Sequence, residues 1–133
     1  MLTYIIAWIA AAVAFLGLDA VWLSNMSSRV YKPVMGEMMR PSPDFGAAGA
    51  FYVIYVSAIV FFAVAPGLEK ASLSKALING ALLGFVAYAT YDLTNQSTLK
   101  FWELRLTLVD MAWGTFATAA AAGIAYAVSS RFS

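Results

Sequence analysis

The chain contains no cysteine and no histidine, and only 11% of its 133 residues are charged. Without cysteine there is no disulfide framework, no thiolate nucleophile and no cysteine metal site. Without histidine the usual proton shuttle and the commonest metal ligand are missing. So is the ordinary axial ligand of a b-type haem, and no haem is expected. Any chemistry must therefore rest on carboxylates, hydroxyls, amides, amines or a bound ion. The net charge of +1 comes with no basic run, so nothing points to a nucleic-acid partner. No repeat of solenoid period is present.

What the chain has in abundance is apolar surface. Hydrophobic residues make up 62% of it, against about 45–50% in soluble domains. A chain this short has too little interior to hide that excess, so the excess must face lipid. Four stretches approach the roughly 20 apolar residues needed to cross the hydrocarbon core. They run over about 2–23, 47–65, 75–95 and 104–128. Pro66-Gly67 is expected to close the second, and Ser72 or Ser74 to cap the third. The fold class is all-α: an integral-membrane bundle of four transmembrane helices in a single domain, 1–133.

The first stretch is read as a retained helix and not a signal peptide. It lacks a basic leading region, its apolar run is long, and Asp19 lies inside it. The longest connection, 25–46, holds Met26, Met35, Met38 and Met39 among basic residues. It reads as an interfacial segment, partly helical, broken or started at Lys32-Pro33 and ended by Pro41-Ser42-Pro43. Either it is a lid or partner surface, or it is a connector lying on the membrane.

Lysine and arginine near the helix ends set the expected orientation. Arg29, Lys32, Arg40, Lys100 and Arg105 lie on one side, and Lys70, Lys75 and Arg131 on the other. The bias puts both termini in the periplasm if the membrane is a bacterial inner membrane.

Three acids, Asp19, Asp92 and Asp110, fall inside the apolar stretches. A charge at the bilayer centre costs about 2.5–3.5 kcal/mol on insertion scales and by default marks function. Asp19 and Asp92 come late in helices that run parallel, and Asp110 comes early in one that runs antiparallel. All three are thus expected near one membrane face, about 5–9 Å inside the helix ends at 1.5 Å per residue. Positions three and four apart share a helix face. That places Gly80, Gly84, Tyr88, Asp92 and Asn95 on one stripe, and Thr107, Asp110, Gly114, Thr118 and Ala121 on another. Small residues in such stripes let helices approach closely. Asp19-Ala20-Val21-Trp22 and Asp110-Met111-Ala112-Trp113 share a D-x-x-W pattern that sets an indole donor on the acid's face. Alternatively each aspartate staples the bundle, bonded to a neighbouring tyrosine, threonine or asparagine or paired with Lys100 or Arg105. The helix-two aromatics Phe51, Tyr52, Tyr55, Phe61 and Phe62 are expected to contact lipid and pack.

The segments Asp19-Ala20-Val21-Trp22-Leu23, Tyr88-Ala89-Thr90-Tyr91-Asp92-Leu93-Thr94-Asn95 and Thr107-Leu108-Val109-Asp110-Met111-Ala112-Trp113-Gly114 resemble a bacterial family of inner-membrane proteins. That family is the one called domain of unknown function 2177, and the resemblance covers essentially the whole chain. It implies the architecture and draws attention to Asp19, Trp22, Tyr91, Asp92, Thr94, Asn95, Asp110 and Trp113. It implies no catalytic role.

These readings leave three functions. The first is an accessory or binding subunit whose polar pocket, drawn from Asp19, Trp22, Tyr88, Tyr91, Asp92, Thr94, Asn95, Asp110 and Trp113, holds a lipid headgroup, a cation or another membrane protein. The second is a lipid-modifying enzyme with a divalent cation on Asp19, Asp92 and Asp110. The third is a proton- or cation-coupled transporter, which four helices would form only as a homo-oligomer.

Overall fold

The computed structural model describes residues 1–42 and 44–133. Within them lie four helices long and apolar enough to cross a membrane: α1, Leu2–Met35; α2, Phe45–Glu69; α3, Leu73–Thr98; and α4, Leu104–Phe132. Helix starts follow from local chemistry. The Asp44 side chain accepts from the backbone N–H of Gly46 and of Ala47, both at 3.1 Å, and so caps α2. Ser72, one of the two serines expected to do so, accepts from the Lys75 N–H at 3.1 Å and caps α3.

Two boundaries differ from the sequence expectation, for one shared reason. α1 does not stop near Leu23 but runs on to Met35, through Lys32-Pro33. α2 does not close at Pro66-Gly67 but runs on to Glu69. A proline inside a helix has no N–H to donate, and its ring clashes with the carbonyl four residues back. Here each proline is preceded by one π turn, Ser27–Tyr31 or Val60–Val64, in which bonding shifts to the residue five back. The Lys32 N–H reaches the Ser27 carbonyl and the Ala65 N–H reaches the Val60 carbonyl. Another helix then takes up each carbonyl that the proline cannot use. The Arg105 guanidinium donates to the Arg29 carbonyl at 3.2 Å, and the Asn79 amide donates to the Phe62 carbonyl at 3.0 Å. In lipid, a freed backbone group needs such a partner if the helix is to continue.

The expected interfacial segment is therefore shorter than 25–46, and its first part stands on the bundle. Val30 and Val34 pack on Leu106, beside Met26, Met35, Trp102 and Val109. The chain turns away at Gly36, whose φ of 51° favours a residue without a side chain. Only Gly36–Met38 is helical beyond that point and before α2 among the described residues. The expected stop at Pro41-Ser42-Pro43 falls partly on residue 43, outside those described.

The core lies between α1, α2 and α4, around Phe15, Val56, Ile59, Val64, Ala117 and Ala121. The glycine stripes bring α3 against α4. A methyl group on Gly84 would run into the Gly114 carbonyl and the Thr118 side chain. One on Gly114 would enter the Tyr88 ring, and one on Gly80 would lie 2.8 Å from the Ala122 Cβ. Removing Cβ atoms here is what lets two backbones pack without a hydrophobic driving force between them. At the other end of the bundle, the Thr3 hydroxyl donates to the Phe132 carbonyl at 2.9 Å, so the two termini meet.

Candidate functional site

The close α3–α4 contact and the extended end of α1 enclose a cavity of about 440 Å³. That volume is within the range of small-ligand sites, about 300–1,000 Å³. Asp19 of α1 and Asp110 of α4 both line it. Apart from Ser27, its walls are otherwise apolar or aromatic: Leu23, Phe51 and Ala87, with Tyr31, Tyr55, Tyr88 and Tyr91. Met35 and Met39 line it from beyond the π turn. The segment after Met26 thus borders the cavity.

Each carboxylate at the cavity is held by a tyrosine. The Tyr52 hydroxyl donates to Asp19 Oδ2, and the Tyr31 hydroxyl donates to Asp110 Oδ1. Tyr31 in turn accepts from the Trp22 indole at 2.8 Å. The tryptophan of one D-x-x-W pattern is in this way bonded, through one hydroxyl, to the acid of the other. The two indoles, Trp22 and Trp113, also stack directly, with centroids 4.4 Å apart. Deeper in the cavity, Tyr55 and Thr118 share a buried hydrogen bond of 2.8 Å.

Asp92 is placed differently. It is fully buried and does not line the cavity, but its carboxyl lies within reach of Asp110 behind the wall. Neither of its carboxylate oxygens has a hydrogen-bond partner, and neither has Gln96 Oε1 one turn further on. Two carboxylates face to face can bond only through a shared proton or a cation. Trp113 Nε1 is also buried without a partner.

The stripes read from the sequence face inward as expected: Gly80, Gly84 and Asp92 on α3 are buried, as are Thr107, Asp110, Gly114, Thr118 and Ala121 on α4. The other candidate residues are placed as follows. Asp19, Asp92 and Asp110 lie in one region but do not form a single ion cage. Among the described residues no three acidic side chains could hold a metal together, because Asp19 turns to Tyr52 while Asp92 and Asp110 face each other. Thr94 is exposed, and its hydroxyl bonds back to the Thr90 and Tyr91 carbonyls of its own helix, so it does not join the others. Asn95 is half-buried and lines no part of the cavity. Neither basic residue considered as an ion-pair partner takes that part. Arg105 is bonded to the Arg29 carbonyl, and the Lys100 ammonium sits 5.7 Å from the centre of the Phe101 ring.

Contributors not singled out in the sequence as pocket residues include Tyr31, Tyr52, Tyr55, Met35 and Met39. For Tyr52 and Tyr55 a signal existed. They sit three apart, on one face with Val56, Ile59 and Ala63, and each carries a hydroxyl that lipid cannot satisfy. Phe61 and Phe62 are exposed, as expected of lipid-facing aromatics, whereas Phe51 is exposed and lines the cavity.

The family described as a predicted membrane protein, DUF2177, matches residues 4–127. The chain belongs to that family. No curated protein and no solved structure matches it. Membership agrees with the four membrane-spanning helices and assigns no activity, so a reading of function starts from the cavity.

Proposed function

We propose that this DUF2177 protein is a non-enzymatic binding or accessory subunit of the bacterial inner membrane, and that it holds the polar end of a membrane-soluble ligand between Asp19 and Asp110. The observation that carries this reading is the composition of the cavity. Ligand sites are mostly apolar with a few convergent polar groups, and here two carboxylates on antiparallel helices face one space walled by Leu23, Phe51, Ala87 and tyrosine rings. A staple alone would need no cavity between the acids.

A lipid-modifying enzyme built on a three-aspartate metal centre finds less support, since the acids do not converge on one point. A proton- or cation-coupled transporter keeps one supporting feature, the Asp92–Asp110 pair with its unpartnered oxygens. Protonatable pairs of this kind recur in transport pathways. The orientation that suits either binding or transport puts the first and third loops, richer in lysine and arginine, in the cytoplasm and both termini in the periplasm.

Native mass spectrometry of the protein released from mild detergent tests the binding reading. One small amphiphile should stay bound per chain, and Ala87→Trp, which fills the cavity, should lose it. Equal retention by wild type and Ala87→Trp, or no retained species in the wild type, would overturn the proposal. Val13→Trp, on an exposed face of α1, controls for loosely held lipid.

A further inference from the structure

We infer that the ligand presents an organic ammonium group to the cavity, attached to an apolar body; this rests on the binding reading above and names its chemistry. Three independent observations converge on a cation.

The first is the sign of the groups that point inward. Asp19 and Asp110 line the space, and the side chains bonded to them are neutral tyrosine hydroxyls, not cations. Asp110 is buried and Asp19 half-buried, and a carboxylate charge held away from water is unfavourable without a counter-charge, so the cavity's own chemistry calls for a positive occupant. The second is a deficit of donors just behind the wall. Both carboxylate oxygens of Asp92 are buried acceptors without partners, and Asp92 is fully buried beside Asp110. A cation beside Asp110 would offset both carboxylates. Among the described residues Trp113 Nε1 is the one buried side-chain donor without a partner.

The third is the wall itself. Tyr31, Phe51, Tyr55, Tyr88 and Tyr91 all line one space, with Phe51 and Tyr55 stacked on each other. Aromatic faces attract cations through the ring quadrupole, and cages of this kind are used for ammonium ligands. An inorganic ion would leave these rings and most of the 440 Å³ unused, and oxygen cages for divalent ions need more convergent ligands than the described residues supply. An ammonium carried by a chain uses both features. Leu23 and Phe51 both line the cavity and are exposed, which gives a tail a way out past them.

The ammonium can come from an aminophospholipid headgroup or from a free alkyl amine. The absence of native cysteine allows a direct probe. The thiol of an Ala87→Cys variant lies in the cavity wall, and its modification by a maleimide is followed in maltoside micelles, with Ser133→Cys as the reference for changes outside the cavity. Dodecylammonium and dodecyltrimethylammonium at about ten times their Kd should slow modification about tenfold. Dodecanol, with the same tail and no charge, should slow it little. Introducing Asp19→Asn and Asp110→Asn together should remove the protection while the helical signal and melting behaviour persist; should that variant not fold, the dodecanol comparison decides alone. Slowing by phosphatidylethanolamine nanodiscs relative to phosphatidylglycerol nanodiscs assigns the ammonium to a lipid headgroup. Slowing by the added amines alone assigns it to a free amphiphile. Equal protection by dodecanol overturns the ammonium inference and leaves the binding reading standing. No protection by any amphiphile overturns both.

Discussion

The indole rings of Trp22 and Trp113 stack with centroids 4.4 Å apart and planes 5° from parallel. These residues belong to antiparallel helices, and each follows an aspartate by three positions. The stack therefore fixes the spacing of Asp19 and Asp110 across the cavity, with Tyr31 bridging from Trp22 to Asp110. Stacked aromatic pairs contribute about 0.5–1.5 kcal/mol beyond their burial. A double-mutant cycle on Trp22→Leu and Trp113→Leu, read by thermal unfolding in detergent, should show a coupling of about that size. Strict additivity of the two substitutions would mean the rings do not hold each other.

Tyr31→Phe and Tyr52→Phe should each destabilise by about 1.5–3 kcal/mol, the range for a hydrogen bond to a charged group. Both remove only a hydroxyl that donates to a carboxylate. Tyr4→Phe, on an exposed tyrosine of α1, should be neutral. If all three behave alike, the hydroxyl bonds are not holding the carboxylates.

The glycines divide into two groups. Gly84→Ala and Gly114→Ala force a side chain into the Gly114 carbonyl and the Tyr88 ring respectively, and overpacking of this kind costs about 1–3 kcal/mol. Gly17→Ala and Gly49→Ala meet nothing within 4 Å and should be neutral or slightly stabilising, since alanine is the better helix former. Comparing melting temperatures across the four variants checks this, and a ranking that mixes the two groups would count against the close α3–α4 contact.

Much of this was legible in the sequence. Four spans and the inward stripes at Gly80, Gly84, Asp92 and at Thr107, Asp110, Gly114, Thr118 followed from period and polarity. What was hidden had two physical causes. In α2 the core face and the outer face are both apolar, so hydropathy does not set buried Val56 and Ile59 apart from exposed Val53 and Ile54. At Pro33 and Pro66 the usual helix-stop rule fails because π turns precede them and distant side chains, Arg105 and Asn79, satisfy the freed carbonyls. No local reading of either segment contains its partner.

That explanation is itself open to test. Asn79→Leu should destabilise the protein by about 1–3 kcal/mol, the cost of leaving a carbonyl held away from water without a partner. With Pro66→Ala in place the residue at 66 can donate an N–H to the Phe62 carbonyl, and Asn79→Leu should then cost much less. If Asn79→Leu costs the same in both backgrounds, the asparagine is not compensating for the proline.

Asp92→Asn separates a staple from a functional group. Its carboxylate has no hydrogen-bond partner, so neutralising it should leave the empty protein as stable as wild type or more so. Its retention of ligand should fall, because a carboxylate beside Asp110 is lost. Glu69→Gln, on the exposed end of α2, should change neither property. A large loss of stability in Asp92→Asn without change in ligand retention would mark Asp92 as structural.

The most direct test of the central claim is an experimental density map of the protein in native membrane lipid. Elongated density should occupy the cavity, with its head between Asp19 and Asp110 against the Tyr55 and Tyr88 rings and its tail leaving past Leu23 and Phe51. Water alone in that space, with the two carboxylates bonded only to Tyr52 and Tyr31, would contradict the account and leave the acids as staples of the bundle.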